Sequence, residues 1–481
     1  MHTSEAGGVA GANAQPEVIP APENLGELAA AAGEPAALEA PAAQPASTAQ
    51  RWYVAFMMCL VYTLSITDRY SISTVLELIR RELHLSDANV AFLTGVSLAI
   101  FYVVFGFPLS WLIDRKSRRD IVVGSLVAWS GLTVATGLAR NYSQLLLARI
   151  GVGVGEAGGT PGANSLLSDY FPPERRTMAL QVFSLGAALG TWLGSSIAGI
   201  IAYYFSWRGM FLALGAPGIL VGVLMWLTIR EPQRGRLDAH APGAKVPPLR
   251  VIVRFMCTQR ATVHMILGTG VAALWGWGLL WWTPAFLMRA FALNVEQAGT
   301  ILGRVYLIGG GLAMLVSTWL FSRPWLTDQR RILRVTGATI AFGTVVTWFI
   351  YSTHSLALFK MLLWLFVPTV YMYLGPSFGI LNNLAPANMR AMYCAVMLLV
   401  ANVLNLVVAP QMVGFLSDSF APHGVPDAAS LRFALLCLVP TGFWAAWHFV
   451  RAGRHLREDL QRLAQGAAPG TVGSTAARRA G

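Results

Sequence analysis

The sequence predicts an all-α integral membrane protein with twelve membrane-spanning helices in two similar six-helix halves. Three observations predict it. The 481 residues are 55% hydrophobic and only 12% charged, and a mean hydropathy of +0.55 suits lipid better than water as the solvent. Twelve segments reach the ~20 mostly apolar residues that a hydrocarbon core requires. A segment that follows the fourth of them recurs after the tenth.

Residues 1–50 are rich in Ala, Pro, Gly and Glu and have no apolar h-region, so they read as a disordered cytoplasmic tail and not as a signal peptide. The first hydrophobic helix, from Trp52, then serves as an uncleaved anchor. The spans are placed at 52–77, 88–113, 120–139, 144–168, 178–204, 208–229, 262–289, 295–321, 333–352, 356–384, 390–416 and 429–450, with Gly, Pro, Arg or Asp at their boundaries. The longest polar break, 230–260, is read as a cytoplasmic linker between a first half at 51–229 and a second at 261–451, with 452–481 as a cytoplasmic C-terminal tail.

Orientation follows from Lys and Arg, because positively charged loops resist translocation. With the N-terminus inside, 25 of the 35 fall in cytoplasmic segments and 7 outside, and Arg69, Arg149 and Arg304 lie within spans. Both termini are therefore expected in the cytoplasm. The halves also align: Phe171 to Met178, after span 4, matches Ala385 to Met392, after span 10, at an offset of 214, and the same offset carries Asp114 onto Asp328. Parallel repeats of this kind place a binding site where the halves meet.

Several function classes are excluded. The net charge of +12 is scattered between apolar runs and forms no patch or stripe, which argues against nucleic acid as a partner. Cys59, Cys257, Cys394 and Cys437 stand singly, and the histidines, among them His84, His264, His354 and His448, have no ligand spacing. Neither a metal site nor a nucleophile-base set is visible, so no enzyme activity and no cofactor are expected. Gly153-Val154-Gly155-Glu156-Ala157-Gly158 matches the dinucleotide fingerprint in form, but it lies inside an apolar helix with no preceding strand. Gly151, Gly155 and Gly159, like Gly186, Gly190, Gly194 and Ala198, recur every four residues and read as ridges that let helix backbones approach in lipid.

Ionisable groups inside a bilayer cost ~2.5–3.5 kcal/mol each at a helix centre, so those that persist tend to line a pathway. Span 1 holds Asp68 and Arg69; span 4 holds Arg149 and Glu156, seven residues apart and so on nearly one face. In one reading Asp68 or Glu156 exchanges a proton while Arg69 or Arg149 holds the charged carboxylate or an anionic substrate. Burial opposes the charged form and a guanidinium favours it, so separating a pair switches protonation. In the other reading the four charges are a static network pinning span 1 to span 4. Packing apolar residues there would be the cheaper solution for a purely structural need, which favours function. At the offset of 214, Trp282, Leu363 and Val370 stand opposite Asp68, Arg149 and Glu156, so coupling is expected in the first half. The second half offers Trp275, Trp277, Trp281, Trp282, Tyr306, Tyr371, Tyr373, Asn382, Asn402 and Asn405, of which Trp282, Tyr306, Tyr371, Asn382 and Asn402 are taken as substrate-binding candidates. Arg304, within span 8, either binds the anionic head of a substrate or snorkels to the outer interface.

Two signatures carry a family resemblance. Ser110-Trp111-Leu112-Ile113-Asp114-Arg115-Lys116-Ser117-Arg118-Arg119 resembles the loop 2-3 motif of the major facilitator superfamily, with Ser110 and Ser117 in place of its two glycines. By that resemblance Asp114, Arg115, Arg118 and Arg119 form a gating loop. The second signature comprises Arg149, Gly151, Gly153, Gly155, Glu156, Ala157, Pro161, Ser165, Asp169, Phe171, Pro172, Arg175 and Arg176, then Trp207-Arg208, Phe211, Pro217-Gly218 and Glu231-Pro232. With Asp68-Arg69 and with Pro410, Gly414, Ser417 and Asp418, it resembles the spinster group of that superfamily. The resemblance implies a major facilitator fold and a secondary transporter of lysophospholipids or sphingoid lipids, with proton-coupled carriers among the bacterial relatives. The expected activity is thus proton-coupled alternating-access transport of an amphiphilic or organic anion. A symporter of small organic or aromatic acids, a drug efflux carrier, and a transporter-like sensor that binds without flux remain open beside it. The expected setting is the cell inner (plasma) membrane and the expected unit a monomer, with a small-molecule or lipid substrate, protons and the bilayer as partners.

Overall fold

The computed structural model describes residues 47–113, 115–233, 248–321, 323–326, 328–386 and 389–465. Among them nine continuous helical stretches are long and apolar enough to cross a membrane, and one of these, Met178–Thr228, holds two crossings that reverse at Ser206. Span 1, Thr48–Glu82, and span 4, built from Tyr142–Glu156 and Gly159–Tyr170, complete the twelve. Side-chain caps start many of them by satisfying backbone N–H groups that have no intrahelical partner. Ser47, Ser86, Ser117 and Asn141 cap spans 1 to 4, and Asn294, Asp328, Ser355 and Asp427 cap spans 8, 9, 10 and 12. The reversal between spans 5 and 6 is tight because Ser206 adopts φ 66, a conformation costly to any residue but Gly.

The twofold repeat extends into backbone detail that the sequence alignment did not reach. Spans 2, 5, 8 and 11 each contain a widened turn with i→i+5 bonding, at Phe92–Val96, Leu193–Ile197, Val305–Gly310 and Val403–Val408. Such turns recur at functional sites because they loosen a helix locally. Span 4 breaks at Ala157 and Gly158, and span 10 breaks correspondingly at Tyr373.

An even number of crossings places residues 47 and 465 on one face of the bundle, here the terminal face; the opposite is the far face. The small-residue ridge of span 5 lies on span 1: a Cβ at Gly186 would sit 2.7 Å from Cys59 O, at Gly190 2.7 Å from Thr63 O and at Gly194 2.6 Å from Thr67 O. Between the halves the same device works at the far face. A Cβ at Gly199 would meet Val295 O at 2.8 Å, and one at Gly414 would meet Asp87 O at 2.6 Å. Apolar burial follows suit. One core, including Val54, Met58, Leu126, Val152 and Met225, stays within the terminal-face part of the first half. The other fills the second half and takes in Ile72, Val75, Leu93, Leu145 and Trp207 from the far-face part of the first. The halves are therefore fastened at the far face.

Candidate functional site

Consecutive helical residues point about 100° apart, so Asp68 and Arg69 leave span 1 in different directions and find different partners. Asp68 Oδ2 accepts from Arg149 Nη1 at 2.8 Å and Asp68 Oδ1 accepts from Thr133 Oγ1 at 2.7 Å. Arg69 Nε and Nη2 both reach Glu156 Oε2 at 2.7 Å. Arg149 and Glu156 stand two turns apart on one face of span 4, as their spacing requires, and both meet span 1. The pairs differ in exposure. Arg149 and Asp68 are sealed, at 0% and 4%, whereas the Arg69 side chain is 20% exposed and the Glu156 side chain fully buried.

Arg69 has a second face. With Asn402 it closes a cleft of ≈ 200 Å³ between spans 2 and 11, lined otherwise by apolar residues such as Ile100, Val104 and Leu406. Beside it Tyr70, which the sequence reading did not single out, stacks edge-on with Tyr306 at 5.7 Å and lies 6.5 Å from Trp277. Trp277 in turn meets Tyr371 at 5.1 Å. Of the second-half candidates, Tyr306, Tyr371 and Asn402 thus gather around Arg69 and Tyr70. The others lie elsewhere. Trp282 is fully buried, and its indole N–H has no partner among the described residues. Asn382 sits at the terminal-face end of span 10, where its Oδ1 accepts from Cys394 Sγ at 3.2 Å. Arg304, for which head-group binding and snorkelling were both open, is exposed, in a far-face cleft shared with Glu296 and Lys360, as a snorkelling residue would be.

In the loop after span 2, Asp114 lies outside the described residues. Arg115 stacks over Trp111 at 4.2 Å. Arg118 is 3% exposed and bonds Asp169, Glu231 Oε1 at 2.8 Å and Pro232 O at 2.9 Å, while the Arg119 backbone N–H donates to Glu231 Oε2 at 2.8 Å. The loop therefore clamps the terminal-face ends of spans 3, 4 and 6 together within the first half.

A second ionic cluster joins the halves at the far face. Arg289 of span 7 donates to Glu77 Oε2 at 2.7 Å and grips Asp87 with both Nη atoms, at 2.7 and 2.6 Å. All three side chains are buried. Ser417 Oγ adds a bond to Asp87 Oδ2 at 2.6 Å, and the Asp418 carboxylate accepts from the backbone N–H of Asp87 and of Ala88, each at 2.8 Å. The sequence reading set Arg289 among the outer charges and missed this lock, because its partners are 202 and 212 positions away. It likewise saw scattered histidines where the fold brings His264 and His448 to 2.9 Å between Nδ1 atoms.

Residues 58–410 match the profile of the Major Facilitator Superfamily. The chain belongs to the Major Facilitator Superfamily. Among its relatives in that superfamily, an "MFS-type efflux pump" of Mycolicibacterium smegmatis is 29% identical over 412 residues, 85% of this chain and 94% of the relative. "Protein spinster homolog 3" of Danio rerio is 24% identical, covering 85% and 86%. A bacterial homologue of the human lysosomal transporter Spinster, crystallised in an inward-facing and unoccupied conformation, superposes with TM-score 0.75 at 26% identity, covering 86% of this chain and 99% of that one. The protein is thus a spinster-like major facilitator transporter and a multi-pass membrane protein. Within that superfamily fold, the Arg69 cluster sits where the two halves face each other.

Proposed function

We propose that the protein is a proton-coupled carrier of an amphiphilic or organic anion, working by alternating access in the cell inner membrane as a monomer with the terminal face cytoplasmic. One observation carries this reading: Arg69 is shared between a buried carboxylate, Glu156 at 2.7 Å, and an open cleft. An anion entering the cleft competes with Glu156 for the guanidinium. A carboxylate left alone in an apolar interior is most stable when it takes up a proton. Anion binding and proton uptake thereby become linked, and the reverse exchange releases both. Asp68 and Arg149, sealed and supported by Thr133, hold the geometry of span 1 against span 4 during the exchange.

The surroundings suit an amphiphile. Tyr70, Tyr306, Tyr371 and Trp277 offer aromatic faces, and the cleft is mostly apolar beyond Arg69 and Asn402. Lysophospholipid or sphingoid cargo is what the spinster resemblance suggests, and the gathered Lys and Arg of the terminal face support the orientation. The far-face lock supports a terminal-face-open state, from which opening to the other side requires Arg289 to leave Glu77 and Asp87.

The test is flux into proteoliposomes of a radiolabelled lysolipid, an aromatic acid and a cationic dye, with and without a proton gradient. Gradient-driven movement of the lysolipid or the acid supports the reading and separates the two anion classes. Movement of the dye alone would make the efflux pump the better comparison, and binding without flux would identify a sensor.

A further inference from the structure

Three arginines meet at the terminal face, where span 9 begins and span 12 ends. Arg330 and Arg334 stand one turn apart near the start of span 9, Gln329–Ser352, and Arg454 stands on Thr441–Ala464, the helix that completes span 12. With Val450 and Gly453 they line a pocket of ≈ 400 Å³, within the ~300–1,000 Å³ usual for ligand sites. The two helices meet there through small residues. A Cβ at Gly337 would lie 3.1 Å from Ala446 O, and one at Gly453 would lie 3.7 Å from Leu333 Cβ. The pocket shares no residue with the Arg69 cleft.

No carboxylate lines this pocket. Among the described residues none of the three guanidiniums has an ion-pair partner, and Arg330 Nε is buried with no hydrogen-bond partner. Asp328, beside Arg330 in sequence, is occupied otherwise: its Oδ1 accepts from the Arg330 backbone N–H at 3.0 Å, and its Oδ2 lies 3.8 Å from Arg457. The corresponding junction of the first half, between spans 3 and 6, is closed from within, because Glu231 takes up Arg118 and the backbone of Arg119. At the offset of 214 the acid Asp120 of the first half is replaced by Arg334. Like charges gathered without a counter-charge repel one another, and an anion between them removes the repulsion.

The chemistry of that anion is set by what lies beside the pocket. The face of span 9 that carries Arg334 continues into the bilayer as Ala338, Phe342, Val345 and Phe349, all exposed. The face of span 12 that carries Arg454 continues as Val450, Trp447 and Phe443, of which the last two are exposed. Guanidiniums at the membrane surface above two apolar helix faces complement a phosphate joined to acyl chains, and basic pockets between membrane helices bind such head groups.

We propose that this pocket binds the head group of an anionic phospholipid from the terminal-face leaflet, with its acyl chains lying along spans 9 and 12. The lipid is a resident of the outer side of the second half, distinct from the transported substrate. Its phosphodiester supplies the counter-charge that Glu231 supplies in the first half, and so holds spans 9 and 12 together at the terminal face.

Scintillation proximity binding of radiolabelled dioleoylphosphatidylglycerol to the full chain in detergent tests the site. Unlabelled phosphatidylglycerol is expected to displace the label at least tenfold more effectively than dioleoylphosphatidylcholine; equal displacement would overturn the proposal. The triple variant Arg330→Gln, Arg334→Gln, Arg454→Gln is expected to weaken binding at least tenfold. The same charge change spread over Arg175, Arg230 and Arg390, exposed at other helix ends of that face, is expected to weaken it less than threefold. Gly453→Leu keeps every arginine and, with nothing nearer than 3.7 Å to its Cβ, fills the pocket, so it should weaken binding like the triple variant. Wild-type affinity in the folded triple variant or in Gly453→Leu, or equal loss in the dispersed variant, would overturn the pocket. Inorganic phosphate, compared with chloride at equal ionic strength, should leave the lipid bound. Full displacement by phosphate would mark a site for free anions and overturn the lipid assignment. Melting in lipid-free detergent confirms that each variant is folded, and added phosphatidylglycerol should raise the melting temperature of the wild type but not of the triple variant.

Discussion

Replacing Arg289 with Met tests the far-face lock quantitatively. The guanidinium makes three bonds of 2.6–2.7 Å to Glu77 and Asp87, and all three groups are buried. Removing one partner of a buried ion pair costs ~3–5 kcal/mol, because the carboxylates left behind are neither paired nor hydrated. Glu77 keeps Arg80 at 3.0 Å and Arg81 at 2.7 Å, and Asp87 keeps Ser417, so the lower end, about 3 kcal/mol, applies. This cost falls on the state in which the far face is closed, since opening it hydrates both carboxylates. At ~1.4 kcal/mol per tenfold, the ratio of closed to open should fall on the order of 100-fold. Pulsed EPR reads that ratio. Spin labels at Asn141 and His354, both exposed in far-face turns, are placed in a background lacking the four native cysteines. The wild-type protein should show mainly the short distance and Arg289→Met mainly a longer one. Arg289→Lys should fall between them, because a single ammonium cannot grip both Asp87 oxygens. Identical distance distributions in all three would refute the lock.

Three further outcomes follow from local geometry. Gly190→Leu puts a Cβ 2.7 Å from Thr63 O and 2.6 Å from Ile66 Cβ, and the forced separation of spans 1 and 5 should lower thermal stability in detergent by the ~1–3 kcal/mol typical of overpacking. Arg118→Lys should be nearly as damaging as Arg118→Ala in the same assay, because one ammonium cannot serve Asp169, Glu231 and Pro232 together. At the start of span 12, backbone N–H bonds from Ser430 and its neighbours hold the Asp427 carboxyl below the usual aspartate range. Its folded-state pKa is depressed, so the cap's stabilisation is present above the ordinary value and lost as pH falls through the folded one. Amide exchange at 428–431, corrected for intrinsic rate, should speed up in acid for the wild type and not for Asp427→Asn.

The twelve crossings were legible because lipid imposes a length and a composition on each, and neither depends on what the helix packs against. The reading of Arg149 and Glu156 as neighbours on one face needed only the helical repeat. The glycine ridge of span 5 was legible for a similar reason, since recurrence every four residues makes a groove wherever the partner lies. Pairing across helices was not legible. The choice of Arg149 for Asp68 and of Glu156 for Arg69 depends on which way span 1 is turned in the bundle. For Arg304 the count along span 8 left head-group binding and snorkelling both open, because a count carries no azimuth; the residue is exposed, in a cleft with Lys360. The lock at Arg289 and the approach of His264 to His448 join residues that only the packed fold brings together. The four widened turns leave no mark in hydropathy, since they change the bonding register without changing which residues are apolar.

The central claim is that Glu156 carries the coupled proton while Asp68 holds the scaffold. Glu156→Gln and Asp68→Asn, each reconstituted in proteoliposomes with a transported lysolipid or organic acid, separate them through gradient-driven flux and substrate exchange at equal pH. The account predicts that Glu156→Gln abolishes driven flux and keeps exchange, and that Asp68→Asn weakens both alike along with thermal stability. Full driven flux in Glu156→Gln would contradict it.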